Sequence, residues 1–180
     1  MILIDTNVIF ELLKAEPNPD VLAWIDAQTV ETLYLSAFTV TELRFGLATM
    51  PQGKRRTIYE ERLEKEFLPT LRGRVLPFDL ETSQAYADFM ARAKAEGNAI
   101  GKADGYIAAT ARARGLTVAT RNISPFEAAG LKILNPWEAE QFLSRKVDAA
   151  RTSMSTGLGH SNEEVEAMFV ARRAAVTGEE

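Results

Sequence analysis

The chain has 180 residues, 46% hydrophobic and 26% charged, the make-up of a globular protein with one sizeable domain and room for a tail. Its 25 acids against 21 bases leave a formal net charge of −4, which argues against a nucleic-acid binder that works by bulk positive charge. With no cysteine and a single histidine, disulfides, zinc–thiolate sites, iron–sulfur clusters and thiol nucleophiles are excluded, and carboxylates remain as the site chemistry in quantity.

In chain order, the apolar run at residues 1–5 predicts a first strand that stops at Asp5. It lacks a basic leader and falls far short of the roughly 18 apolar residues that a membrane span needs, as does every later stretch, so a cytoplasmic protein with no membrane partner is expected. Val21, Leu22, Trp24 and Ile25 form an apolar helical stripe, and a second strand is predicted at 33–37. Helical patterns follow at 39–50 and at 54–68, the latter carrying Ile58, Leu63 and Phe67 among many charges. A strand at 75–78 leads to a helix at 79–95 with Tyr86, Phe89 and Met90, and a helix at 102–114 carries Ile107, Ala108 and Ala111. Strands at 116–120 and 132–134 complete the series. Several of these strands are continuously apolar, the pattern of a sheet covered on both faces. Strands alternating with helices imply right-handed crossovers and a mainly parallel sheet, hence a three-layer α/β/α domain ending near Pro136-Trp137. Beyond it, 138–151 reads as helical and 152–162 as a Ser/Gly-rich linker, a poor setting for the lone His160 as a catalytic group. Ser161-Asn162-Glu163-Glu164 has capping-box spacing and opens a last helical pattern with Val165, Met168, Phe169 and Val176. The expected organisation is a domain at 1–140 and a helical C-terminal extension at 141–180.

In a doubly wound sheet, ligands bind at the carboxyl ends of the strands, near the switch in strand order. Asp5-Thr6-Asn7 ends the first predicted strand, Glu42 follows the second by about a turn, and Thr120-Arg121-Asn122 ends the fourth. Asp104 opens the helix that leads into that fourth strand, so Asp5, Glu42 and Asp104 can converge, with Thr120 and Asn122 beside them. Carboxylates crowded in one cleft repel and raise each other's pKa, and a divalent cation relieves the conflict while activating a water and stabilising phosphoryl oxygens. Each residue also has a plain structural reading: Glu42 as a capping-box partner of Thr39, Asp104 as a complement to a helix dipole, Asp5 as a turn or cap, Asn122 as a turn residue.

Four ordered blocks then resemble PIN-domain ribonucleases. They are Met1-Ile2-Leu3-Ile4-Asp5-Thr6-Asn7-Val8-Ile9, Leu35 to Gly46 (with Thr39 and Glu42), Ile100 to Ala111 (with Asp104), and Val118-Ala119-Thr120-Arg121-Asn122. Together, and with the closing Leu134-Asn135-Pro136-Trp137, they resemble the VapC toxins of bacterial toxin–antitoxin pairs, in particular the FitB-like branch, over about residues 1–140. The resemblance implies a PIN fold and an endoribonuclease dependent on Mg²⁺ (or Mn²⁺), leaving 5′-phosphate and 3′-hydroxyl ends. It carries Asp5, Glu42 and Asp104 onto the family's three acidic positions as catalytic and metal-binding residues, and Asn122 onto a fourth polar position where some members have Asp. Some relatives have a further acid where this chain has Pro125, so this site holds one carboxylate fewer than the fullest version. Thr6, Asn7 and Thr120 are expected to orient the acids. Arg44, Lys102 and Arg121 are the favoured RNA-phosphate contacts, with Lys54, Arg55, Arg56, Arg72, Arg74, Arg112 and Arg114 as further candidates.

The resemblance also implies a homodimer and a cognate antitoxin that blocks the pocket, with RNA as substrate. Two other functions fit parts of the pattern: a phosphoacceptor receiver-like domain built on Asp79, Thr120 and Lys132, and a catalytically weak PIN-like binding module, suggested by Asn122. The charge argument softens when divided by region. Residues 138–180 hold 8 acids and 5 bases; residues 1–137 hold 17 acids and 16 bases, three of those acids being the expected metal ligands. The acidity therefore gathers in a pocket and a tail and does not oppose RNA.

Overall fold

The computed structural model describes residues 1–138, and the expected extension at 141–180 lies outside them. Five strands form the sheet: β1 (Ile2–Ile4), β2 (Leu33–Ser36), β3 (Val75–Leu76), β4 (Thr117–Ala119) and β5 (Ile133–Leu134). Their order is β3-β2-β1-β4-β5 and every pairing is parallel, so the expected mainly parallel sheet is wholly parallel. The register places Leu3 beside Tyr34 on one side and Val118 on the other, with Ile4 beside Ala119.

Consecutive residues of the central strands are buried alike, Leu3 with Ile4 and Val118 with Ala119, because helices cover both faces. Leu3 and Val118 pack in one cluster with Phe89, Ala93, Ile107, Ala108, Ala111 and Phe126. Those side chains come from α6 (Leu80–Ala95), α7 (Lys102–Ala113) and α8 (Ser124–Ala128). The other helices are α1 (Thr6–Leu13), α2 (Pro19–Asp26), α3 (Ala37–Thr49), α4 (Lys54–Glu61) and the short α5 (Leu68–Thr70).

The helix starts follow side-chain chemistry. Asn18 accepts from the Asp20 and Val21 amides ahead of Pro19 in α2, and Asp79 accepts from the Thr82 amide at the start of α6. α7 ends in a Schellman arrangement: Gly115, at φ +62°, donates to Arg112 O, and Leu116 donates to Ala111 O. That left-handed turn delivers the chain directly into β4.

Two helices exceed the expectation. α1 begins immediately after β1 because Asp5 itself caps it, so what reads as a strand-ending turn is also a helix start. α8 is a single five-residue piece with Pro125 in its first turn, too short to show a period. The expected helix at 54–68 is interrupted: α4 runs to Glu61, widens into a π-helical turn at Arg62–Phe67, and resumes as α5. Among the described residues no helix is long and apolar enough to cross a membrane.

Candidate active site

β1 lies at the switch point of this order, since the chain leaves it towards β2 on one side and returns through β4 on the other. Asp5 follows β1 directly and is only 3% exposed. Its Oδ1 accepts from the Thr6 amide at 2.8 Å, while its Oδ2 accepts from Asn7 Nδ2 at 2.6 Å and from the Thr120 hydroxyl at 2.7 Å. Asn7 Nδ2 also reaches Thr120 Oγ1 at 3.0 Å, and Asn7 Oδ1 accepts from the Arg121 amide at 3.2 Å. The Asn122 amide donates to Thr120 Oγ1 at 2.9 Å. Asp5, Asn7 and Thr120 thus form one hydrogen-bonded unit that joins the ends of β1 and β4.

Glu42 enters from α3. Its Oε2 accepts from the Thr6 hydroxyl at 2.6 Å, so Thr6 bonds Asp5 through its amide and Glu42 through its side chain. The capping-box reading of Glu42 with Thr39 is corrected here. The cap of α3 is Ser36, whose hydroxyl accepts from the Thr39 amide at 2.9 Å. The helix therefore starts at Ala37, and Glu42 lies in its second turn with no orphan amide to satisfy. Asp104 sits in the first turn of α7, where a carboxylate also complements the helix dipole.

The three carboxylates are coupled through space. Burial pushes the pKa of Asp5 up to about 6 against the hydrogen bonds from Thr120 and Thr6, and the charges of Asp104 and Glu42 push the same way. Asp104 is raised as well, by burial first and then by Glu42. Among the described residues no three of Asp, Glu, His or Cys converge tightly enough to close on a single point. Asp5 is held in place by its hydrogen bonds, while Glu42 and Asp104 are partly exposed. In kind, the donor set is that of a hard cation: carboxylate oxygens with lone pairs left over.

Asn122 is exposed, and Pro125 occupies the first turn of α8. The expected phosphate contacts divide. Arg44 is held by both oxygens of Glu64, at 2.7 and 2.9 Å. Arg56 bonds Glu60 and the Ala48 carbonyl, Arg112 bonds the Ala129 carbonyl, and Arg114 pairs with Asp79 and Glu81. Arg55 instead lies over the Tyr59 ring. Lys102 and Arg121 are exposed, and Lys54, Arg72 and Arg74 make no ion pair among the described residues. One carboxylate near the site was not expected: Glu11, buried on α1 and bonded to Lys14 and the Asn18 amide. It lies on α1, a helix that the sequence pattern does not show, and so carries no sequence signal of its own.

The receiver-like reading does not survive the geometry. Asp79 follows the edge strand β3, while Thr120 follows β4 three places along the sheet, about 14 Å away at ordinary strand spacing. Asp79 caps α6 and pairs with Arg114.

A PIN domain profile matches residues 2–132. The chain belongs to the PIN domain family. Among curated proteins it is similar to VapC ribonuclease Y4jK of Sinorhizobium fredii, 72% identical over 138 residues, which are 77% of this chain and 99% of that protein. It is also similar to Toxin FitB of Neisseria gonorrhoeae, 50% identical over 137 residues, 76% of this chain and 99% of the toxin. Among solved structures, FitAcB from Neisseria gonorrhoeae matches with a TM-score of 0.73 and 50% identity, over 76% of this chain and 99% of the other. The PIN-type α/β/α sheet and the resemblance to VapC and FitB toxins are thus both borne out.

Proposed function

We propose that this PIN domain is an endoribonuclease, the toxin half of a toxin–antitoxin pair, hydrolysing RNA phosphodiesters with a divalent cation, Mg²⁺ or Mn²⁺. The observation that carries the reading is Asp5: a nearly buried carboxylate at the switch point, held by three donors and crowded by Glu42 and Asp104. Burial of a carboxylate beside two others is costly, and a structural cap does not call for it. The similarity to a VapC ribonuclease and to Toxin FitB supports the same reading and the expectation of an antitoxin partner.

Asp5, Glu42 and Asp104 would hold the cation, with Asn122 near the rim. Bound there, it would supply the positive charge that lowers the pKa of an attacking water and offsets charge on the phosphoryl oxygens. Thr120 and Asn7 fix the carboxylate plane of Asp5 by donating to Oδ2, and Thr6 fixes Glu42 relative to Asp5. These contacts keep two acids in a geometry that mutual repulsion alone would spread. Lys102 and Arg121 stand beside the acids to meet RNA phosphates. Arg44 is committed to Glu64 and is a weaker candidate for that task. The nuclease is assigned to residues 1–140, with 141–180 as an addition to it, and the active form is a homodimer.

The test is cleavage of single-stranded RNA by the purified chain with Mg²⁺ or Mn²⁺, compared with Asp104→Asn. Cleavage that disappears in the variant, with cooperative unfolding retained, is the expected result. A folded Asp104→Asn protein that cuts RNA undiminished overturns the assignment, and a wild-type chain that binds RNA without cutting it favours the binding-module alternative.

A further inference from the structure

Beside the carboxylates lies a cavity of about 570 Å³. It shares two walls with the acidic site. Asn7 holds Asp5, and Asn122 is tied through Thr120 to the same carboxylate. The rest of its lining differs from the acidic site in character. Phe10 and Trp137 contribute rings, Arg121 and Lys14 contribute cations, and Glu11 contributes one buried carboxylate.

The charges are not evenly matched. Lys14 Nζ pairs with Glu11 Oε2 at 2.7 Å, and the other Glu11 oxygen accepts from the Asn18 amide at 2.9 Å. Arg121 feels Glu11 through space but makes no ion pair among the described residues. Its guanidinium carbon stands 5.4 Å from the centre of the Trp137 ring. Nucleobases stack on aromatic rings and on guanidinium planes, and here one of each are neighbours in a cavity that adjoins the acidic site.

We propose that this cavity is a nucleotide subsite for single-stranded RNA. Trp137 and Arg121 take one unstacked base next to the scissile bond, and Arg121, whose charge no carboxylate pairs among the described residues, meets the adjoining phosphate. The assignment rests on the ribonuclease reading and adds residues outside the carboxylate cluster that bind and select substrate. The arrangement explains why an acidic chain can hold RNA at all: the cations that matter are concentrated next to the acids, where stacking adds affinity without further charge.

The experiment uses the full chain carrying Asp104→Asn, so that RNA is bound and not cut, and a fluorescein-labelled single-stranded RNA of mixed sequence read by anisotropy at stepped salt. Adding Trp137→Ala is expected to weaken binding roughly five- to a hundred-fold, while Trp137→Phe, which keeps a ring, stays within about three-fold. Adding Arg121→Gln is expected to lower the slope of log affinity against log salt by about 0.7, the signature of one lost phosphate contact to a single strand. The slope serves as the decisive readout if Trp137→Ala does not fold. Unchanged affinity and slope in these variants, with wild-type cleavage intact, overturn the subsite and leave the nuclease standing. A wild-type chain that neither binds nor cuts RNA removes both. Variants that leave RNA binding alone but weaken capture of the cognate antitoxin overturn the proposal too, since the cavity then serves a protein partner.

Discussion

The Thr120 hydroxyl donates to Asp5 Oδ2 at 2.7 Å across 115 residues of chain, and its oxygen in turn accepts from the Asn122 amide and Asn7 Nδ2. One buried side chain therefore sets the acid and the loop after β4 together. Thr120→Val keeps the shape and removes every one of these bonds. The expected outcome is a loss of about 1–3 kcal/mol in unfolding free energy. RNA cleavage should drop about 10- to 100-fold, as for lost supports of metal ligands. Thr120→Ser should restore most of both. Urea unfolding and initial cleavage rates check the pair.

Asp5 also makes stability depend on pH in an uncommon direction. Its pKa is near 6 when folded and near 3.8 when unfolded, so the folded state binds more protons between those values. The contribution is fully present below the unfolded value and is lost as pH rises through about 6. Asp104 shifts the same way. Relative to the metal-free wild type, Asp5→Asn should therefore gain about 1 kcal/mol in unfolding free energy between about pH 5 and about pH 7. Denaturant melts of both proteins across that window measure it, and a parallel pair of curves contradicts the shift.

Added Mg²⁺ or Mn²⁺ should raise the melting temperature of the wild type near neutral pH and much less below the Asp5 pKa, where the proton competes for the same oxygen. Asp5→Asn should show little response at either pH. Thermal melts with and without the ion decide this without any nuclease assay.

Gly105 tests how tightly α7 seats the acidic turn against α6. Replacing a helix-interior glycine by alanine ordinarily gains up to about 1 kcal/mol. Here a Cβ would meet Tyr86 Cε2 at 3.0 Å and Met90 Sδ at 3.1 Å. Tyr86 cannot easily yield, being stacked on Tyr106 at 4.6 Å, which stacks in turn on Phe38 at 4.1 Å. Overpacking by about 1–3 kcal/mol should outweigh the propensity gain. Gly105→Ala is expected to melt about 3 °C lower, by scanning calorimetry.

The strands were legible because each is a short continuous apolar run, and their ends fall within about two residues of the structure. α1 was not legible because its cap, Asp5, is also the last residue of the apolar run, and no break separates strand from helix. Glu11 was missed for the same reason. The direction of Asp5, Asn7 and Thr120 towards one another follows from β1 pairing with β4, a contact that local pattern does not encode. Glu42 shows the opposite difficulty: its spacing from Thr39 imitates a cap, and only the helix start at Ser36 separates the two roles. The loss of Arg44 to Glu64 spans 20 residues and has no local sign at all.

The sheet's outer strands are its shortest. β3 and β5 run two residues each, Val75–Leu76 and Ile133–Leu134, so they expose too few backbone donors and acceptors to template another strand. A second copy of this domain, or a bound peptide, gains little from extending the sheet at either border. Recognition by the described residues then falls to side chains on helices and loops, whose identities can diverge between sister systems while the scaffold stays put.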